Sequence, residues 1–260
     1  MGNENTVEKQ QIVQQVQTIP IMVPTLESDS NTLKQDDVEF LFQHLPQELK
    51  THSTWSLLYS SSRDGMSMRT FYSAVQLRGP QFLIIKDTKS DVFGCFAPES
   101  WDKRQDFYGS EKCFIFKLSP DKAVYKSTKI NKNYMYLSFG NSSHSPIYNG
   151  LGVGGKIGYF AIELDTDLNH GTSNANCATF SSPTLSSDRK FEVLEVEAWG
   201  FPMDNKSKTT LKNTQDMQSL IQQRAKKVDP KDFLGDVSIL QQAGVKVGES
   251  GYFQEKLQKE

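Results

Sequence analysis

TWSLLYSSSRDGMSMRTFYSAV, residues 54–75, changes its period twice within a few turns of chain. Trp55, Leu57, Leu58 and Tyr59 suit a pleated, half-buried strand. Ser60, Ser61, Ser62, Arg63, Asp64 and Gly65 then supply turn chemistry: short hydroxyls and a carboxylate that bond locally, and a glycine free to take positive φ. Met68, Phe71, Tyr72 and Val75 follow at i, i+3, i+4 and i+7, which predicts a short amphipathic helix with Ser67 as its N-cap. Strand, polar corner and helix are thus compressed into one unit. Arg63 and Asp64 sit at the bend as an ion pair that fixes it, so Arg63→Ala is expected to reduce stability first and partner binding only through stability.

Downstream of this unit the pattern is β. Phe82-Leu83-Ile84-Ile85 is a continuous apolar run, and Val92-Phe93-Gly94-Cys95-Phe96-Ala97 follows at hairpin distance. Further strands are predicted over 113–118, 123–125, 134–139 and 157–164, and over 191–199, where Glu192, Glu195 and Glu197 interrupt an apolar series. Short strands at about ten-residue spacing without intervening helices predict antiparallel sheets packed face to face. The fold class is therefore α+β, mainly β: a two-sheet antiparallel β-sandwich with short peripheral helices.

Upstream, residues 33–50 carry Val38, Leu41, Phe42, Leu45 and Leu49 at helical period, with Pro46 expected to end or kink the helix. Residues 1–32 read as an arm, Gln-rich and then bounded by Pro20 and Pro24. Beyond Pro202 a polar linker leads to two short amphipathic helices in a C-terminal extension, 202–260. Asp229-Pro230 opens the second, and Phe233, Leu234, Val237 and Leu240 line one face. These four residues are the candidate partner-binding set. Helices this short need a packing partner, either the domain's own edge or a groove on another protein. The folded domain is expected over 33–201.

A net charge of −2 argues against nucleic acid. Cys95, Cys113 and Cys177 are odd in number and unpaired in spacing, which argues against a disulfide framework and fits a reducing compartment. No apolar run is long enough to span a bilayer, and the start lacks a secretory core. Met1-Gly2-Asn3-Glu4-Asn5-Thr6 fits the N-myristoylation pattern, making Gly2 a candidate lipidation site and the expected route to organelle membranes; one such chain gives only marginal, reversible binding.

Residues 150–157, GLGVGGKI, satisfy a GxGxxG spacing and most of a P-loop. Both motifs require a helix directly after the glycines, and a β run follows instead, with Ile157 where the magnesium-binding hydroxyl belongs. These glycines are read as positions of close backbone approach. His44, His52, His144 and His170 show no metal-ligand spacing. No GxSxG elbow is present, and His170 near Cys177 is read as a loop histidine beside a buried thiol. The expected lists of catalytic, cofactor and metal residues are empty.

The ordered series FLIIKD, VFGCFAPESW, FYGSEKCFIFKL, GLGVGGKIGYFAIELDTDLNHGTS, CATF and FEVLEVEAWGF, following the opening stretch, resembles the TLDc domain of the oxidation-resistance proteins and their relatives. The resemblance marks Ser62, Arg63, Asp64, Gly65, Gly152, Gly154, Gly155, Glu197, Trp199, Gly200 and Phe201 as structural motif residues. It departs from the family pattern in a longer approach at 147–152 and in Ala198 before Trp199. It implies a two-sheet sandwich and a cytosolic protein linked to resistance against oxidative stress. It also implies a protein partner, the peripheral sector of the vacuolar-type proton-pumping ATPase, and brings no catalytic or cofactor site. Two alternatives stand beside it: an adaptor subunit of another large assembly, stapled by arm and tail, and a thiol-based redox enzyme using Cys177 or Cys95, which requires an exposed thiol of depressed pKa.

Overall fold

The structure, a computed structural model, describes residues 23–140 and 148–202. Gly2, the Gln-rich part of the arm, and the extension carrying Phe233, Leu234, Val237 and Leu240 lie outside the described residues.

The opening unit forms as its periods dictate. Strand β2 spans Thr54–Ser60, a single helical turn α2 spans Ser61–Asp64, and helix α3 spans Met68–Val75. All four apolar positions of α3 are buried; hiding Phe71 alone is worth about 2 kcal/mol. Ser67 occupies the N-cap position but its side chain makes no capping bond, a correction to the expected cap. Helix α1, Gln35–His44, buries Val38, Leu41 and Phe42; Leu45 is its C-cap, and Pro46 heads a 3-10 turn, Gln47–Leu49.

The remaining strands are β1 (Thr25–Leu26), β3 (Gln81–Asp87), β4 (Val92–Ala97), β5 (Phe114–Ser119), β6 (Ala123–Lys126), β7 (Met135–Ser138), β8 (Gly150–Val153), β9 (Ile162–Leu164), β10 (His170–Thr172) and β11 (Lys190–Gly200). They hydrogen-bond in the order β6-β5-β4-β3-β11-β10-β9-β8-β7, with β2 also on β11 and β1 on β2. Every pairing is antiparallel except β1 with β2.

Strand β11 joins the two layers. Its first residues pair with β10, Phe191 opposite Gly171, whereas 197–200 pair with β3 on one side and β2 on the other. Between these roles the register slips at Leu194, which is 53% exposed. Because side chains alternate with a period of two, one extra residue flips the faces. Phe191 and Val193 enter the inter-layer core before the bulge, and Val196 and Ala198 enter it afterwards, turning Trp199 to the opposite face.

Two cores result. One fills the space between the layers, with Leu83, Ile85, Phe93 and Cys95 from one sheet meeting Met135, Leu151, Val153 and Ile162 from the other. The second lies on the outer face of β3, where Trp55, Phe82, Phe96, Phe114 and Trp199 pack against α1. The middle of β3 is a continuous apolar run because it is covered on both faces: Phe82 and Ile84 point one way, Leu83 and Ile85 the other.

Three details differ from the expectations. The strand expected over 157–164 is only Ile162–Leu164; ahead of it Lys156 and Tyr159 close a turn through Gly158 at φ +78. The GLGV of the glycine-rich segment is itself a strand, and His170–Thr172 is a short strand lacking any apolar period. Finally, Thr25–Leu26 pairs with β2 in a segment expected to belong to the arm, so the packed region extends upstream of residue 33.

Candidate functional site

The polar corner at 60–65 folds onto β11. Glu195 and Glu197 are two apart in that strand and project from the same face as Trp199; they are only 6% and 1% exposed. Glu195 Oε1 accepts from Ser60 Oγ and Ser61 Oγ at 2.9 Å each and from the Ser62 N–H at 3.1 Å. Ser60 is the N-cap of α2 and makes no cap bond of its own, so Glu195 satisfies the orphan amide of that turn from a neighbouring strand. Ser61 Oγ in return accepts the Val196 N–H.

Glu197 gathers the end of the arm. Its Oε2 accepts from Ser30 Oγ and Thr32 Oγ1 at 2.6 Å each and from Trp199 Nε1 at 2.9 Å, and its Oε1 accepts the Asn31 N–H at 2.7 Å. Asn31 Nδ2 reaches Ser62 Oγ at 2.9 Å and ties the two clusters together. No ion pair to either carboxylate occurs among the described residues; each is held by neutral donors that charge assistance strengthens.

Arg63 and Asp64 face solvent. Arg63 Nε and Nη2 grip Asp64 at 2.8 and 2.7 Å, Nη2 also reaches Leu58 O, and Asp64 Oδ2 accepts the Ser60 N–H. The Arg63 guanidinium holds the Asp64 carboxyl below the usual aspartate range, and Asp64 raises Arg63 in turn. Half the Arg63 side chain is exposed, so the pair contributes about 0–1 kcal/mol. Asp64's folded pKa is depressed, so this stabilisation is full above the ordinary aspartate pKa and is lost as pH falls through the folded one. Arg63→Ala should therefore unfold about 0.5–1 kcal/mol more easily at pH 7 in low salt, with the deficit shrinking in high salt and closing below the usual aspartate range. Urea melts of both proteins across pH check this; a deficit persisting in acid would show that Arg63 acts by packing. Gly65 ends the corner at φ +88 and its carbonyl accepts the Tyr59 hydroxyl at 2.6 Å; burial pushes that phenol up to about 12.

The expected motif residues thus fall into two groups. Ser62, Arg63, Asp64, Gly65 and Glu197 come together around the corner and Trp199 bonds to Glu197, whereas Gly200, opposite Ser56, and Phe201, edge-on to Trp55, lie toward the other end of β2. Gly152, Gly154 and Gly155 lie in the other layer. A Cβ on Gly152 would sit 2.3 Å from the Phe160 ring, and one on Gly155 2.1 Å from Tyr159 O. The Gly155 N–H is already committed to Thr179 Oγ1 and its carbonyl to Asn133 Nδ2. A side chain at Gly152 would thus meet a ring and one at Gly155 the backbone of the next turn. Glu195 and the hydroxyls of Ser30, Thr32, Ser60 and Ser61 are missing from the expected set. The legible signal was two glutamates at a period of two on the face that also carries a tryptophan.

The requirements of the thiol alternative are not met. Cys95 and Cys113 are fully buried and Cys177 is 2% exposed; burial pushes all three thiols up. The His170 ring nitrogen faces Asp165 Oδ2 at 3.2 Å. That histidine borders a groove of about 360 Å³ shared with Tyr148, Glu163, Lys190 and Glu192, where Glu163 already accepts from Thr172 Oγ1 at 2.6 Å. Among the described residues no group of His, Cys, Asp and Glu is placed to hold a metal ion, and no helix is long and apolar enough to cross a membrane.

Comparison with known proteins agrees with this architecture. The family model described as the TLDc domain matches residues 26–202. The MTOR-associated protein MEAK7 of Danio rerio is 36% identical over 197 residues, covering 72% of this chain and 42% of that protein. The human MEAK7 is 37% identical over 164 residues, 62% of this chain and 35% of its own length. Oxidation resistance protein 1 of Xenopus tropicalis is 36% identical over 179 residues, 68% of this chain and 19% of that protein. The matched part spans less than half of each of these relatives.

Proposed function

The chain belongs to the TLDc domain family, and on that premise we propose that it is a non-catalytic binding module that docks on the peripheral sector of the vacuolar-type proton-pumping ATPase and regulates it, in a pathway of oxidative-stress resistance. The relatives' names support a role through association and protection: one group is named for association with MTOR, the other for resistance to oxidation. The observation that carries the reading is the saturation of the corner. The hydroxyls and carboxylates that would suggest chemistry at 60–65 are spent on internal hydrogen bonds, and the thiols are buried. What remains for function is the outer surface and the segments flanking the domain. In this reading the protein works in the cytoplasm, Gly2 is a candidate acylation site beside the alternative of an unmodified N-terminus, and the face of Phe233, Leu234, Val237 and Leu240 adds a contact to the partner.

Affinity purification of the full chain from its native source is expected to bring down peripheral ATPase subunits, and deletion of the protein is expected to alter organelle acidification. Intact-mass measurement of the N-terminus decides whether Gly2 carries an acyl group. Absence of ATPase subunits together with normal acidification overturns the proposal. Stoichiometric recovery of a different assembly would favour the adaptor role.

A further inference from the structure

Three loops, at 127–133, 154–160 and 174–181, are stitched into one platform. Thr179 is the central stitch. Its Oγ1 donates to Asn131 Oδ1 at 2.8 Å and accepts the Gly155 N–H at 2.8 Å, and its carbonyl accepts the Thr128 N–H at 2.8 Å. Asn133 Nδ2 reaches Gly155 O at 2.7 Å, and the Tyr159 hydroxyl reaches Ala175 O at 3.0 Å. Loops with this many internal bonds hold their apices in place.

The apices are apolar and their surroundings basic. Ile130 follows Lys129, which lies in the left-handed region at φ 64, and is 74% exposed, the most exposed large apolar residue described. Tyr159 is 38% exposed and Ile157 is half-buried beside it. Lys129, Lys132 and Lys156 are exposed around them, and the three loops contain no Asp or Glu. Lys129 pairs with Glu111 at 3.2 Å; Lys132 and Lys156 have no ion-pair partner among the described residues. In a chain of net charge −2, this is a local concentration of positive charge.

We infer that this three-loop tip is a membrane-contact surface that seats on anionic lipid, Ile130 entering the headgroup layer and Lys132 and Lys156 meeting lipid phosphates and carboxylates. Charge complementarity selects an anionic partner. The form of the tip selects a lipid surface over an acidic protein. Protein interfaces centre on anchors buried in fitted pockets and are depleted in lysine. A protruding aliphatic residue ringed by flexible lysines suits a soft boundary, where lysine stems lie along the apolar layer and their heads stay in water. Tyrosine is likewise at home at that boundary. The contact is separate from acylation of Gly2 and independent of any ATPase partner.

The test uses the full chain, unacylated, sedimented with phosphatidylcholine vesicles with and without phosphatidylserine. Binding is expected only with phosphatidylserine, and it should fall in high salt. Lys132→Gln and Lys156→Gln should each weaken it roughly five-fold, and Ile130→Ser roughly ten-fold. Leu194→Ser, at an exposed leucine on β11 outside the three loops, should leave binding unchanged. The tip residues are exposed, so all variants should melt like the parent. No sedimentation with phosphatidylserine, equal sedimentation with pure phosphatidylcholine, or a variant combining all three tip changes that binds like the parent would each overturn the inference. The last result would place the contact elsewhere in the chain.

Discussion

Glu197→Ala is expected to lower the unfolding free energy by about 3–4 kcal/mol. The carboxylate is 1% exposed and accepts four hydrogen bonds, from Ser30, Asn31, Thr32 and Trp199. Its removal leaves the fully buried Trp199 indole N–H and the buried Thr32 hydroxyl without their acceptor, each worth about 1–3 kcal/mol, while the Ser30 hydroxyl and the exposed Asn31 amide can turn to water. For a domain of this size the melting temperature should drop by about 10 °C. Glu197→Gln keeps the shape but turns an amide donor toward the donors it faces, so about half the loss should remain. The same variants should free the end of the arm: protease cutting at 25–32 should accelerate before the rest of the domain unfolds. A loss under about 1 kcal/mol, or unchanged cutting there, would mean that Glu197 does not clasp the arm.

Gly155→Ala is expected to cost about 3 kcal/mol, by two separable causes. The residue sits at φ +77, where an L side chain costs about 1 kcal/mol, and its new Cβ would lie 2.1 Å from the backbone oxygen of Tyr159. Backbone cannot swing aside as a side-chain tip can, so the turn closed by Lys156 and Tyr159 must open, and the bond from Gly155 to Thr179 goes with it. Gly158→Ala is the internal control: φ is +78 but nothing lies within 4 Å of the added carbon, so only the conformational cost of about 1 kcal/mol should appear. Equal losses in the two variants, measured by urea unfolding, would remove close approach as the reason for Gly155.

How far the chain could be read in advance follows the range of the forces involved. Helix α3 is bounded as its spacing predicts because the 3.6-residue period and the proximity of Gly65 are local facts. Strands β3, β4 and β5 were legible as apolar runs because both faces of that sheet are covered. Misreadings arose where local pattern and chain geometry diverge. Residues 157–160 look like the start of a strand, yet Gly158 at positive φ lets the chain reverse before β9. Residues 170–172 look like a loop, yet they pair between β9 and β11 because Gly171 leaves room for the Phe191 ring, 2.3 Å from where a Cβ would be. The thiol alternative could be weighed only with exposure in hand, since spacing says nothing about burial.

By itself the sequence determined the fold class and the strand–corner–helix unit at 54–75, because hydrophobic period acts between near neighbours and is written into their order. The family resemblance of the sequence also marked Glu197 and the corner as motif residues. Only the tertiary structure decided what that corner is. The partners of Glu195 lie 135 residues away at Ser60 and those of Glu197 165 residues away at Thr32. A buried carboxylate must find donors wherever the fold brings them, and no local pattern records which distant hydroxyls will arrive. In this chain they are the hydroxyls of the 60–65 turn and of the arm's last residues, which makes an apparent reaction centre the clasp that holds the domain together.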